Sequence, residues 1–229
     1  MDSAIRSEEL LLKIAAVCAI STTITTFFLW LLPQFYQAPQ TFEEGVALAS
    51  NSFYLSRLWV NLLHIPLALT GYFGLAYILR NRELPKVSLG MIWFLVWGLT
   101  EMIGVSSLIF SVNGEWRSGY LLAGEAEQLA LQSRIEAALS IWDSLFFVLL
   151  IGFLLGTTLY GWATWKGKGL EKLLSYCFWL AVPLTLLIIF SKYAQVEWAG
   201  QVTSWIYPLL QPFSRFILGL FIWKQSGNK

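Results

Sequence analysis

The stretch SLFFVLLIGFLLGTTLYGWATW, residues 144–165, carries no charged side chain. A helix needs about 20 mostly apolar residues to cross a hydrocarbon core of about 30 Å, and this run meets that length unaided. Working outward along the chain, Ile14 to Phe42 and Leu58 to Leu79 are equally free of charge, and Leu173 to Ser191 comes close to the required length. Two further runs qualify with one charge each: Val87 to Val112 holds only Glu101, and Val202 to Trp223 only Arg215. The reading is an all-α, polytopic membrane protein with six transmembrane helices. They are placed at 10–36, 53–80, 87–112, 123–165, 170–191 and 202–224 of one helical domain covering residues 1–229.

Composition points the same way. Of 229 residues, 57% are hydrophobic and 13% charged, against roughly a quarter charged in soluble domains. Fifteen basic side chains face fourteen acidic ones, so there is no basic surface to neutralise phosphates and no nucleic-acid partner is expected. A single histidine, His64, excludes a bis-histidine haem and most multi-histidine metal sites. No GxxxxGK[ST], GxSxG, HExxH or CxxC pattern occurs. Cys18 and Cys177 fall inside predicted spans and read as small buried apolar residues. Neither a metal nor a cofactor is expected.

Orientation follows from lysine and arginine, which cytoplasmic loops retain. With the N-terminus inside, the inner segments hold Arg6, Lys13, Arg80, Arg82, Lys86, Lys166, Lys168, Lys172, Lys224 and Lys229, and the outer loops only Arg117, Arg134 and Lys192. Both termini are therefore placed in the cytoplasm, and the chain in a cell membrane as a multi-pass protein. The inner connections Asn81 to Lys86 and Lys166 to Lys172 are short and carry Pro85, Gly167 and Gly169 as breakers, so the helices they join are antiparallel neighbours. Outside, Gln37 to Ser52 carries Glu43 and Glu44, and Asn113 to Arg134 opens with a turn at Asn113 and Gly114. Its later part, Ala123 to Ile135, is rich in helix formers and extends the fourth helix outward. Trp59, Trp116, Trp142, Trp198 and Trp205 near the outer boundary, and Trp162, Trp165 and Trp223 near the inner one, fit interfacial belts.

Ionisable residues at membrane depth cost a few kcal/mol each on insertion scales and usually face the bundle interior. Here they are Arg57, His64, Glu101, Asp143 and Arg215. Helical spacing groups them into stripes: Arg57, Asn61 and His64 on the second helix; Trp97, Glu101 and Gly104 on the third; Glu136, Ser140 and Asp143 on the fourth; Ser204, Tyr207, Gln211 and Ser214, with Arg215 beside them, on the sixth. At a rise of about 1.5 Å per residue, these groups lie in the outer half of the membrane. The inner half is apolar and aromatic. The expectation is a pocket open to the outside, with Arg57, Asn61, His64, Trp97, Glu101, Ser140, Asp143, Tyr207, Gln211 and Arg215 as ligand-binding residues. The bland alternative is that buried charges, such as Arg215 with Glu101 or Asp143, only fix helix packing. A histidine near Pro66, which frees a backbone carbonyl, also needs no chemical role.

Ser88-Leu89-Gly90, the run Gly98-Leu99-Thr100-Glu101-Met102-Ile103-Gly104-Val105-Ser106-Ser107-Leu108, and the entry Trp142-Asp143 with Gly152 and Gly156 beyond it resemble an uncharacterised family of bacterial six-helix membrane proteins of unknown function. The resemblance implies the six-helix fold over most of the chain, in a bacterial inner or plasma membrane, and no reaction. That family typically has an arginine three positions before the glutamate and an Arg-Asp pair opening the fourth helix. Here those places hold Gly98 and Trp142.

Three function classes fit the pattern. The leading one is binding or carrying a small amphipathic, lipid-like or isoprenoid-like molecule, since an apolar cavity with few polar groups suits such a guest. The second is an intramembrane acid/base enzyme of isomerase or cyclase type, with Glu101, Asp143 and His64 as catalytic candidates. The third is an accessory or scaffold subunit. Membrane lipid is the one partner the sequence implies directly.

Overall fold

The computed structural model describes the backbone of residues 2–227 and the side chains of residues 6–227; Lys229, counted above among the inner cations, lies outside them. Among the described residues there is helix and no strand. Helix α1 (Asp2–Leu31) ends in a 3-10 turn, Leu32–Phe35. The short α2 (Phe42–Ala47) begins at Thr41, whose hydroxyl accepts from the Glu44 amide at 3.2 Å. The long α3 (Ser52–Ser106) starts at Asn51, whose side-chain oxygen accepts from the Tyr54 amide at 3.0 Å.

Within α3 the backbone leaves helical geometry at Glu83 (φ −135°, ψ 31°). The cause is Pro85, two residues on: it has no amide hydrogen and its ring crowds the preceding turn. Lys86 pairs with Glu83 across the bend at 2.5 Å, and that ammonium holds the Glu83 carboxyl below the usual carboxylate range. The limbs 52–82 and 84–106 fold back side by side, with Tyr72 stacked on Phe94 at 3.7 Å between ring centres.

Beyond α3 the chain does not turn at Asn113 and Gly114 as expected. It continues as a π-helix, Ser107–Arg117, into α4 (Ser118–Tyr120). Asn113 supports the wider turn instead of breaking it: Nδ2 donates to the Leu108 carbonyl five residues back at 2.5 Å, and Oδ1 accepts from Arg117 Nη1 at 2.9 Å. The remaining helices are α5 (Glu125–Thr164), α6 (Leu170–Tyr193) and α7 (Glu197–Ser226). Gly169, at φ +57°, makes the reversal between α5 and α6, a conformation other residues rarely adopt.

The helices form a ring in the order α1, limb 52–82, limb 84–106, α5, α6, α7 and back to α1. Small residues let neighbours approach closely, as in membrane helix packing generally. A Cβ on Gly71 would lie 3.0 Å from that of Ala19, and one on Gly219 3.1 Å from the Ala16 carbonyl oxygen. At the end holding both helix termini 2 and 226, the base, the interior is filled by Tyr72, Phe94, Tyr160 and Phe178 with Leu12, Leu218 and Ile222. Charges tie the base: Tyr77 donates to Glu8 at 2.5 Å, Arg80 meets the same carboxylate at 3.2 Å, and Arg82 pairs with Glu171. The opposite end, the cap, carries α2, the π-helix and α4.

The outer surface reverses the soluble pattern. On α1, small Ala15, Ala16, Ala19 and Thr22 face inward, while Leu10, Ile14, Val17, Ile24 and Phe28 are exposed. Contiguous apolar surface of this kind needs a nonaqueous neighbour. Five to six helices are long and apolar enough to span a membrane, according to whether the two limbs of α3 are taken together. The chain is thus helical throughout its described elements and of the multi-pass membrane kind.

Candidate functional site

In the cap half the ring is not filled. A cavity of about 590 Å³ lies between α1, both limbs of α3, α5, α6 and α7. Its walls are mostly apolar: Leu29 and Trp30 from α1, Phe146, Leu149, Leu150 and Phe153 from α5, and Ile188 from α6. Polar groups come from three faces, each set by helical spacing. Limb 52–82 contributes Asn61 and His64, limb 84–106 Trp97 and Glu101, and α7 Thr203, Ser204, Tyr207, Gln211 and Arg215. Gln34, beyond the end of α1, is exposed at the cap side.

The polar groups differ in how they are satisfied. Asn61 Nδ2 donates to Glu101 Oε1 at 2.9 Å, which joins the limbs of α3 and leaves the second carboxylate oxygen with capacity to accept. His64 is buried and its Nδ1 lies 2.8 Å from the Thr25 hydroxyl of α1, so its partner is a side chain on the neighbouring helix and not a carbonyl freed by Pro66. Tyr207 meets Thr185 at 3.5 Å. Pro208 and Pro212 lie inside α7; lacking amide hydrogens, they leave the carbonyls of Ser204 and Pro208 without helical partners.

Arg215 stands apart. It is only 3% exposed, yet its Nε and Nη1 are buried without any hydrogen-bond partner among the described residues. Its guanidinium carbon sits 4.5 Å from the centre of the Tyr72 ring and 5.9 Å from that of Trp97. The head therefore rests on the aromatic floor, and cation–π attraction offsets part of its desolvation. Buried polar groups are nearly always paired, and an unsatisfied one costs about 1–3 kcal/mol, more when charged. Unpaired guanidinium N–H groups in a cavity wall are chemically able to donate to an anionic group.

Of the ten residues expected to bind a ligand, Asn61, His64, Trp97, Glu101, Tyr207, Gln211 and Arg215 line this cavity. Arg57, Ser140 and Asp143 do not. Arg57 Nη1 reaches instead to the Tyr36 hydroxyl in the α1–α2 connection at 2.9 Å. Ser140 is exposed. Asp143, taken above as a catalytic candidate and a partner for Arg215, is exposed and pairs with Lys192 of α6 at 2.7 Å. Its helix face looks out between α5 and α6 because the Leu149, Leu150 and Phe153 face of α5 takes the interior. With both partners well exposed, this pair contributes little, about 0–1 kcal/mol. Asp143→Asn is accordingly expected to shift thermal unfolding in detergent by no more than about 0.5 kcal/mol and to leave ligand retention unchanged. A loss of retention would return Asp143 to the site.

Several residues here went unread in the sequence. Thr25 and Tyr72, the partners of His64 and Arg215, sit in apolar runs and carry no signal of their own. Thr203 and Gly200 continue the Ser204, Tyr207 and Gln211 stripe, and spacing alone would have found them. A second buried arginine lies in the cap, outside the cavity: Arg117, 4% exposed, donates to Asn113 Oδ1 and, at 3.4 Å, to the Tyr54 hydroxyl, which pins the π-helix to α3. Among the described residues no three His, Cys, Asp or Glu side chains converge as a metal site. No protein-family model matches the chain, nor does any curated protein or solved structure.

Proposed function

We propose that this protein crosses the cell membrane six times with both termini in the cytoplasm, and that its cap-side cavity binds or carries a small amphipathic, lipid-like molecule that enters from the outer leaflet. The observation that carries the reading is the combination of a cavity of about 590 Å³ with largely apolar walls and one buried cation whose N–H groups lack partners. Apolar walls with few placed polar groups favour a guest with an apolar body and one polar end. Six spans are supported by the limbs of α3, each long enough to cross a membrane. The orientation is supported by the bias of lysine and arginine toward the base, at Arg80, Arg82, Lys86, Lys166, Lys168 and Lys172.

Native mass spectrometry of the protein purified in mild detergent tests the function. About one amphiphile per chain is the expected result, as one cavity takes one guest. A protein that retains none, and whose thermal stability no added lipid extract changes, would remove the proposal. For orientation, Gly124→Cys and Lys168→Cys in a background with Cys18 and Cys177 replaced are treated with a membrane-impermeant maleimide on intact cells. Labelling at 124 and not at 168 is expected; the reverse would invert the topology.

A further inference from the structure

The cavity walls carry an acidic and a basic side chain that form no ion pair with each other. Glu101 and Arg215 both line it, yet none of the ion pairs found within 4.0 Å among the described residues joins them. Each instead keeps unused capacity toward the cavity: Glu101 accepts from Asn61 through one oxygen, and Arg215 Nε and Nη1 have no partner. With both side chains ionised, a guest bearing only a negative group would satisfy Arg215 and leave a net negative charge beside Glu101 in a medium of low dielectric. A guest bearing only a positive group would leave Arg215 unpaired and add a second cation. Either imbalance is costly where charges are weakly screened.

Resting on the reading above, we infer that the occupant is a zwitterion, with an anionic group held by Arg215 and an ammonium held by Glu101. This arrangement gives each of the two side chains a partner of opposite charge. The fork of the guanidinium suits a phosphate or carboxylate. Trp97, one turn before Glu101, lines the cavity beside it, and Ser204 lines the wall formed by α7. Glycerophosphoethanolamine, as a lipid headgroup or as the free diester, has this chemistry; a phosphoglycerol headgroup has the anion without the ammonium.

The test uses the full-length protein in detergent, delipidated and then offered equal amounts of phosphatidylethanolamine and phosphatidylglycerol of the same chain composition, with retained lipid read by native mass spectrometry. Free glycerophosphoethanolamine is offered separately, with thermal stability as the readout. Wild type is expected to retain the ethanolamine lipid about tenfold or more over the glycerol lipid, the difference one charged hydrogen bond makes. Glu101→Gln is expected to reduce that preference toward unity. Stabilisation by free glycerophosphoethanolamine when neither lipid is retained would also support the zwitterion and make its source soluble. Equal or greater retention of phosphatidylglycerol by wild type, which needs no variant to fold, would overturn the zwitterion and leave the amphiphile reading standing. Retention of neither lipid, with no effect of the soluble head, would take both down.

Discussion

Replacing Arg215 by methionine is expected to abolish retention of the bound molecule while leaving the protein at least as stable as wild type. The two expectations have one origin. Arg215 is 3% exposed, has two guanidinium nitrogens without partners and makes no ion pair among the described residues. A buried charge in that condition lowers stability, and apolar replacement of buried ionic groups is often neutral or favourable by about 1–4 kcal/mol. The methionine side chain can lie over the Tyr72 ring, where the guanidinium now sits at 4.5 Å, through a sulfur–aromatic contact. Retention moves the other way. Two charge-assisted hydrogen bonds at about 1.5–3 kcal/mol each correspond to a loss of roughly a hundredfold to ten-thousandfold in affinity. Arg215→Lys should fall between, since an ammonium keeps the charge and loses the two-pronged fork. Thermal unfolding and native mass spectrometry on the same preparations check both halves. If Arg215→Met unfolds easily and still holds its amphiphile, the arginine is a packing lock and the site lies elsewhere.

That outcome turns on something the sequence carries only in part. Helical spacing reports which residues share a face, and it does so correctly for Asn61 with His64, for Trp97 with Glu101, and for Tyr207 with Gln211, all of which meet in one cavity. It does not report where a face points. Glu136, Ser140 and Asp143 form an equally regular stripe on α5, but the interior is claimed by Leu149, Leu150 and Phe153 further along the helix, so the stripe is left outside and Lys192 answers Asp143 from α6. In water an exposed carboxylate and a buried leucine are told apart by hydrophobicity; in a membrane helix the outward face is also apolar, and that signal weakens. Asn113 and Gly114 misled for another reason. They are turn formers in isolation, yet Asn113 places its amide on the Leu108 carbonyl and its oxygen on Arg117, and a buried arginine 63 positions from its Tyr54 partner is beyond any local pattern. The long apolar helices are legible because the absence of charge over about 20 residues is a cumulative property that no single contact overrides.

Gly152→Leu is expected to prevent formation of a monodisperse folded protein, and even Gly152→Ala to lower its stability by about 1–3 kcal/mol, the usual cost of overpacking. Most glycines along these helices face side chains that can rotate aside. Gly152 does not: a Cβ there would lie 2.9 Å from the Trp93 carbonyl oxygen and 2.9 Å from the Trp97 amide nitrogen, both backbone atoms of limb 84–106. Relief requires moving the limb away from α5. Four residues on, a Cβ on Gly156 would lie 2.9 Å from the Phe94 ring, so the two glycines form a close-packed seam of the small-xxx-small kind that holds membrane helices together by contact instead of by a hydrophobic drive. The same limb carries Trp97 and Glu101 into the cavity, and α5 carries Leu149, Leu150 and Phe153. Spreading the seam must therefore shift two walls of the cavity relative to each other, so Gly152→Ala should weaken ligand retention as well as stability. Gly124, at φ −77° and with nothing within 4 Å of where a methyl group would stand, is the control, and its alanine variant should behave as wild type. Size-exclusion profiles and thermal midpoints of the three variants decide the matter. A Gly152→Leu protein as stable as wild type would mean that α5 and limb 84–106 do not touch as tightly as described, and that the cavity they wall has a different shape.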